Sequence, residues 1–156
     1  MIEINIPGRA AYQLEHLVCD VNGTLALDGV LLDGVARSLQ NLRDRLTIHL
    51  LTADTHGRQH LIDHQLGLTA VRMKPGDEAG QKAAIVRQLD PRRVIAVGQG
   101  ANDVEMLREA AIGICVLSRE GVATPALAAA DIFVPDIQSA LELLEKPLRL
   151  LATLRQ

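Results

Sequence analysis

Four short segments of the sequence carry side chains that together could handle a phosphoryl group. Asp20 opens the segment 20–25, Thr52 follows a run of apolar residues, and a glycine-flanked loop at 98–103 leads into a helical pattern. Lys82 lies near the start of the helical pattern that precedes this loop. An aspartate can attack phosphorus, a lysine and backbone N–H groups can bind the negative oxygens, and Mg²⁺ can neutralise their charge. These residue types therefore predict phosphoryl chemistry with Asp20 as the nucleophile.

Three of these segments directly follow apolar runs that are typical of buried parallel strands. Such runs occupy residues 17–19, 48–51, 94–97, 111–116 and 132–134, with a weaker one at 70–71. Amphipathic patterns with helical spacing, at 35–46 and 79–89, alternate with them. Strands that alternate with helices predict an α/β fold, a three-layer Rossmann-like arrangement around a central parallel sheet. Ligands bind beyond the carboxyl ends of such strands, so we expect the four segments to meet there.

Two hairpins are predicted outside the parallel sheet. Isoleucines alternate with polar residues over 2–6, and alternation resumes at 12–14 after a Pro-Gly break. The dipeptide Asp28-Gly29 lies at the centre of the otherwise apolar segment 25–32, which predicts a two-residue turn and a small projecting flap. Asp33 is predicted to cap the helix that follows the flap.

Composition narrows the range of functions. The 156 residues predict a single domain over 1–156, and 48% hydrophobic with 22% charged residues is ordinary for a globular protein. Tyr12 and Phe133 are the only aromatic residues and the net charge is −3, which argues against binding to nucleic acid by base stacking or phosphate contacts. No apolar stretch approaches the roughly 20 residues of a membrane helix, no signal peptide is visible, and two cysteines form no disulfide framework. We therefore expect a cytoplasmic protein without a nucleic-acid or membrane partner.

The four segments resemble, in order, the four motifs of the haloacid dehalogenase (HAD) superfamily. Residues 20–25, Asp-Val-Asn-Gly-Thr-Leu, are similar to the first motif, usually Asp-x-Asp-Gly-Thr-Leu. Thr52 and Lys82 are similar to the second and third motifs. Residues 98–107 are similar to the fourth, usually Gly-Asp-Gly-x-Asn-Asp-x-x-Met-Leu. The resemblance spans residues 17–134, which is most of the chain.

The resemblance implies a Mg²⁺-dependent phosphohydrolase that forms an aspartyl phosphate on Asp20. The catalytic residues that it implies are Asp20, Asn22, Thr52 and Lys82. The phosphate-binding residues that it implies are Asp20, Thr52, Ala53, Lys82 and Asn102. The Mg²⁺ ligands that it implies are Asp20, the backbone carbonyl of Asn22, Gln99 and Asp103. The expected substrate is a small phosphorylated compound or a phosphorylated macromolecule.

Two positions depart from the family pattern. Asn22 stands where the phosphatases carry a second aspartate as general acid and base, and Gln99 stands where the family places a direct carboxylate ligand of the metal. The soluble relatives of P-type ATPases also lack the second aspartate, and their Lys-x-x-Ile-Val run is similar to residues 82–86. Two interpretations stay open: a slow phosphohydrolase of this P-type ATPase-like group, or a degenerate HAD domain that binds a phosphorylated ligand or partner protein without turnover.

The spacing of the motifs bears on how the site is covered. About 30 residues separate Asp20 from Thr52, and about 30 more separate Thr52 from Lys82. The flap, helices and strands use up these intervals, so we expect no cap domain. Capless HAD proteins act on large substrates or shield their sites with a neighbouring subunit. A homo-oligomer that uses the flap would provide such a shield.

Other polar residues have simpler interpretations. His56, His60 and His64 recur at every fourth residue, which fits zinc binding but fits a solvated helical face better. Lys74 is a rival for the role of Lys82, and Asn102 could also cap the helix that follows it.

Overall fold

The apolar runs form the strands of a central sheet, and the amphipathic segments form helices on both of its faces. The structure is a computed structural model that describes residues 1–156. The strands are β1 (Ile2–Asn5), β2 (Ala11–Leu14), β3 (His16–Asp20), β4 (Ala26–Leu27), β5 (Val30–Leu31), β6 (Thr47–Thr52), β7 (Val71–Arg72), β8 (Val94–Gly98), β9 (Ile112–Val116) and β10 (Ile132–Val134). The helices are α1 (Val35–Leu42), α2 (Gln59–Leu66), α3 (Glu78–Gln88), α4 (Val104–Glu109), α5 (Thr124–Ala129), α6 (Ile137–Glu145) and α7 (Pro147–Leu154).

The central sheet has six strands in the order β10-β9-β8-β3-β6-β7, and every pair in it is parallel. Alternate residues of a strand point to opposite faces. In β3, Leu17 and Cys19 therefore join the apolar cluster that contains α1 and α6, while Val18 joins the cluster that contains α3 and α4. The predicted three-layer α/β fold is confirmed.

Both predicted hairpins are present. Strands β1 and β2 pair in antiparallel register, as do β4 and β5. Asp28 and Gly29 have φ angles of 52° and 77°, the positive values that a two-residue turn between twisted strands requires. Only this flap and α1 lie between β3 and β6, and only α2, β7 and the start of α3 lie between β6 and Lys82, so the expected absence of a cap domain is confirmed.

Two local predictions are wrong. Helix α1 begins after Gly34, which has a left-handed φ of 80° and makes no side-chain cap, so Asp33 is not the N-cap. His56 lies in the turn before α2 and does not share a helical face with His60 and His64.

None of the helices is long and apolar enough to span a bilayer. The assignment of residues 1–156 to one domain and self-association across the flap stay predictions.

Candidate active site

The register of the central strands brings three of the four motifs to one edge of the sheet. Strand β3 pairs with β6 on one side and with β8 on the other, with Asp20 opposite Leu51 and Cys19 opposite Val97. Thr52 and Gly98 follow these partners directly, so both lie beside Asp20. The sheet order reverses at β3, and this reversal opens the crevice in which α/β proteins bind ligands.

Lys82 completes the group from the first turns of α3. Its Nζ donates to Asp20 Oδ1 at 2.6 Å and to Asp103 Oδ1 at 2.8 Å. Lys82 and Asp103 are fully buried, and Asp20 is 5% exposed. Lys74, the rival candidate, lies on the surface. The structure thus brings together the lysine and the two aspartates that the sequence singles out.

The remaining carboxylate oxygens of the two aspartates have fixed donors. Thr24 Oγ1 donates to Asp20 Oδ2 at 2.9 Å. The backbone N–H groups of Gln99 and Gly100 both donate to Asp103 Oδ2 at 2.9 Å. Asp103 therefore links the motif-four loop to Lys82 in the interior of the protein. The Asp20 carboxylate, in contrast, faces outward.

Burial and charge set the protonation of this group. Burial, and then the charge of Asp103, raise the pKa of Asp20, while Lys82 and the Thr24 hydroxyl act in the opposite direction. Burial alone would lower the pKa of Lys82, but its two carboxylate partners outweigh this effect and raise the pKa above the usual value. Lys82 is therefore a permanent cation beside the nucleophile, able to bind negative oxygens.

Replacement of Lys82 by Met should strongly destabilise the protein. Two buried carboxylates would lose their shared cation, and removing one partner of a buried ion pair costs about 3–5 kcal/mol. Urea unfolding monitored by circular dichroism measures this loss, and Lys74→Met is the matched control, because Lys74 is an exposed lysine without a carboxylate partner. A loss for Lys82→Met as small as that for Lys74→Met would show that the buried group does not stabilise the fold.

Asn22 and Thr52 form a second contact beside Asp20. Asn22 Nδ2 donates to Thr52 Oγ1 at 3.1 Å, and the backbone N–H of Asp54 donates to the same oxygen at 2.8 Å. Thr52 is completely buried. The amide of Asn22 is therefore held at the site, although it cannot exchange a proton as a carboxyl group does.

The nucleophile opens into a polar cavity of about 250 Å³. Its lining residues are Asp20, Asn22, Ala53, Thr55, Glu78, Gln99, Asn102 and Glu120. Five of these were predicted from the sequence, while the predicted residues Thr52, Lys82 and Asp103 lie behind the lining. A larger, mainly apolar cavity of about 350 Å³ adjoins the flap but carries none of the predicted catalytic side chains.

Three lining residues were missed by sequence reasoning. Glu78 opens α3, one helical turn before Lys82, and accepts a hydrogen bond from Asn102 Nδ2 at 2.9 Å. Asn102 is thereby used in a contact with the first residue of α3 and does not cap α4, whose N-cap residue is Asp103. Its predicted alternative as a helix cap is wrong. Thr55 and Glu120 lie on loops, and no local sequence signal points to them.

The donors of the cavity suit a hard divalent cation. Carboxylates and amide carbonyls supply only oxygen, which is the ligand type that Mg²⁺ prefers. An exposed group at the rim shares Glu120 with the cavity: ligand atoms of Asp28, His56 and Glu120 lie within 4.8 Å of one another. His56 belongs to this rim group and lies in the turn before α2, whereas His60 and His64 lie within the helix.

Comparison with known proteins identifies the class to which this fold and site belong. The model of the haloacid dehalogenase-like hydrolase family matches residues 3–111. The chain belongs to this family, and the predicted resemblance is confirmed.

Two relatives share sequence with slightly more than half of this chain. The chain is 40% identical over 88 residues to uncharacterized protein MJ0073 of Methanocaldococcus jannaschii, a match that covers 54% of this chain and 95% of that protein. It is 36% identical over 91 residues to the phospholipid-transporting ATPase tat-1 of Caenorhabditis elegans, which covers 56% of this chain but only 8% of the ATPase. The predicted likeness to P-type ATPases is therefore confirmed for one segment of those large proteins.

Solved structures share the fold at low sequence identity. The 3-deoxy-D-manno-octulosonate 8-phosphate phosphatase of Moraxella catarrhalis, solved with magnesium and phosphate ions, superimposes with a TM-score of 0.67 at 18% identity and covers 85% of this chain and 86% of its own. A phosphoserine phosphatase in its apo form gives a TM-score of 0.64 at 13% identity, with 83% and 98% covered. These likenesses establish a common fold.

Proposed function

We propose that this protein is a Mg²⁺-dependent phosphohydrolase that works through an aspartyl phosphate on Asp20 and turns over slowly. The observation that carries the proposal is the setting of the Asp20 carboxylate. It faces a polar cavity, and its two oxygens are oriented by Lys82 and Thr24. A carboxylate that is fixed in this way loses little freedom when it attacks phosphorus.

In the first step, a carboxylate oxygen of Asp20 forms a bond to phosphorus while the bond to the leaving group breaks. The leaving group keeps the electron pair and needs a proton unless it is already stable as an anion. Asn22 has no proton to give, so leaving groups that are stable without protonation, such as the carboxylate of an acyl phosphate, are favoured. Lys82 and the Thr52 hydroxyl, which lie buried behind the cavity lining, would bind the transferred phosphoryl oxygens.

In the second step, the oxygen of a water molecule attacks phosphorus and the bond to Asp20 breaks, with the electron pair returning to the carboxylate. The water must lose a proton, and Asn22 cannot accept it. The proton therefore passes to the departing phosphate or to solvent. Loss of a general base typically slows a step by roughly 10²–10⁴, so the aspartyl phosphate should accumulate.

The chain offers oxygen donors for a cation at this site. Asp20, the backbone carbonyl of Asn22 and the side-chain carbonyl of Gln99 would hold Mg²⁺. We assign the fourth predicted ligand, Asp103, a different role, because both of its oxygens accept hydrogen bonds from Lys82 and the backbone: it would fix the loop that carries Gln99. The chemistry that Mg²⁺ supplies when bound is neutralisation of the phosphoryl charge. Only one of the three direct donors is a carboxylate, so weak binding is expected.

A hydrolysis screen tests the proposal. Acetyl phosphate, nucleotides and phosphomonoesters are each incubated with wild type in Mg²⁺ or in EDTA, and released phosphate is measured against Asp20→Asn. We expect Mg²⁺-dependent hydrolysis of acetyl phosphate, and much slower hydrolysis of phosphomonoesters. With acetyl phosphate, acetate should appear in a burst equal to the enzyme concentration, whereas phosphate, which leaves only in the slow second step, should show no burst. Phosphate release by wild type that never exceeds that of Asp20→Asn would refute the proposal.

The second candidate is a degenerate domain that binds a phosphorylated ligand or partner protein. The neutral pair formed by Asn22 and Thr52 favours it, because an amide that donates to Thr52 contributes binding geometry and no proton transfer. The absence of turnover in this screen, together with binding of a phosphate analogue measured separately, would support this candidate.

A further inference from the structure

The loss of a carboxylate at Gln99 leaves the cavity with an unusual set of acids. Asp103 is fully buried, and both of its oxygens accept hydrogen bonds from Lys82 and the backbone. The carboxylates that do line the cavity belong to Asp20, Glu78 and Glu120. Two glutamates thus enter the site from segments outside the four motifs.

Glu78 and Glu120 differ in how they are held. Glu78 accepts a hydrogen bond of 2.9 Å from the amide of Asn102, so its carboxylate already has a donor. The carboxylate of Glu120 makes no ion pair with a lysine or arginine, and its side-chain partner is Gln99 Nε2 at the long distance of 3.5 Å. Of the three cavity carboxylates, Glu120 is therefore the one whose negative charge is least compensated by a cation or a hydrogen-bond donor.

The head groups of Glu120 and Gln99 converge above the backbone of Gly23. A Cβ at Gly23 would lie 2.1 Å from Glu120 Oε2 and 2.4 Å from Gln99 Nε2. The close approach of both side chains to the motif-one turn therefore depends on glycine. This turn also carries the backbone carbonyl of Asn22, an expected ligand of the metal. The Glu120 carboxylate thus lies beside Gln99, the position at which the family usually has a carboxylate.

We propose that Glu120 supplies the carboxylate that Gln99 no longer provides to the divalent cation of the active site. The inference rests on the proposed function, because it assumes a cation held by Asp20. A hard cation binds a carboxylate oxygen more strongly than an amide oxygen, so Glu120 is the better ligand of the two neighbours. The amide Nε2 of Gln99 lies 3.5 Å from Glu120 Oε2, so the side-chain carbonyl of Gln99 stays free to serve the same cation.

The rim group offers Glu120 a competing role. Ligand atoms of Asp28 and His56 lie within 4.8 Å of its carboxylate, on the outer side of the cavity. If Glu120 served an ion in the rim group, binding would depend on His56. Dependence on Asp20 and independence of His56 distinguish the active-site role.

The test measures Mn²⁺ binding by the loss of the free-ion signal in electron paramagnetic resonance, with competition by Mg²⁺. Glu120→Gln should weaken binding by roughly tenfold or more. Glu3→Gln is the matched control, since it removes the same charge from an exposed position on β1 and should bind as wild type does. Gln99→Asp should raise the affinity more in Glu120→Gln than in wild type, because in wild type Glu120 already supplies this carboxylate. Equal gains in the two backgrounds would overturn the inference.

The outcomes separate the inference from the proposed function. Loss of binding in Asp20→Asn with unchanged binding in Glu120→Gln would overturn the inference and leave the proposed function intact. Equal weakening in His56→Gln and Glu120→Gln would also overturn it and assign the ion to the rim group. No binding by wild type would overturn the metal dependence of the proposed function and this inference together.

Discussion

Beryllofluoride with Mg²⁺ is expected to raise the melting temperature of the wild-type protein and to leave that of Asp20→Ala unchanged. Beryllofluoride mimics a phosphoryl group by bonding to a carboxylate oxygen, and Asp20 is the carboxylate that faces the cavity with both oxygens oriented. A ligand present at about 100 times its dissociation constant stabilises the native state by about 2.7 kcal/mol, or about 5–10 °C for a protein of this size. Differential scanning fluorimetry measures the shift.

The comparison uses the ligand-induced shift of each protein, because removal of Asp20 also changes the buried ion pair with Lys82. Asp44→Asn is the control, since its side chain is 77% exposed and lies outside the cavity. It should show the full shift. An equal shift in wild type and Asp20→Ala would remove Asp20 as the nucleophile.

Asn22→Asp is expected to accelerate hydrolysis of phosphomonoesters by roughly 10²–10⁴. Asparagine and aspartate have nearly the same shape, so the side chain should stay beside Thr52, with the hydroxyl now donating to the carboxylate. The new carboxyl group can protonate a poor leaving group and later accept a proton from water. Steady-state rates with alkyl phosphates and with acetyl phosphate measure the gain, and the burst of acetate from acetyl phosphate should shrink.

Addition of Gln99→Asp to this variant should raise Mg²⁺ affinity as well as rate, since both departures from the family pattern are then reversed. Asn41→Asp is the matched control, because it makes the same chemical change at an exposed contact with Glu145. If the double variant folds, binds Mg²⁺ no better than wild type and stays as slow with good and poor leaving groups, these residues do not limit the site. The binding-domain interpretation would then be favoured.

Local patterns in the sequence determined the architecture and the positions of the motifs. Contiguous apolar runs predicted buried parallel strands, and the residue that follows such a run must lie at the carboxyl edge of the sheet. Asp20 and Thr52 could therefore be placed without knowledge of tertiary contacts. The flap was predictable for the same reason, because the turn preference of Asp28-Gly29 involves only adjacent residues.

Contacts between distant segments were decided by the tertiary structure alone. Lys82 lies between Asp20, 62 positions away, and Asp103, 21 positions away, and this pairing depends on how α3 packs against the sheet. The spacing of His56 suggested a helix, but Asp54 Oδ1 accepts from the N–H of Gln59, so the helix begins only there. Glu120 reaches the cavity because the loop after β9 turns back over Gly23. Loop paths follow from packing between elements rather than from periodic patterns, so the sequence predicts the nucleophile but not every acid that surrounds it.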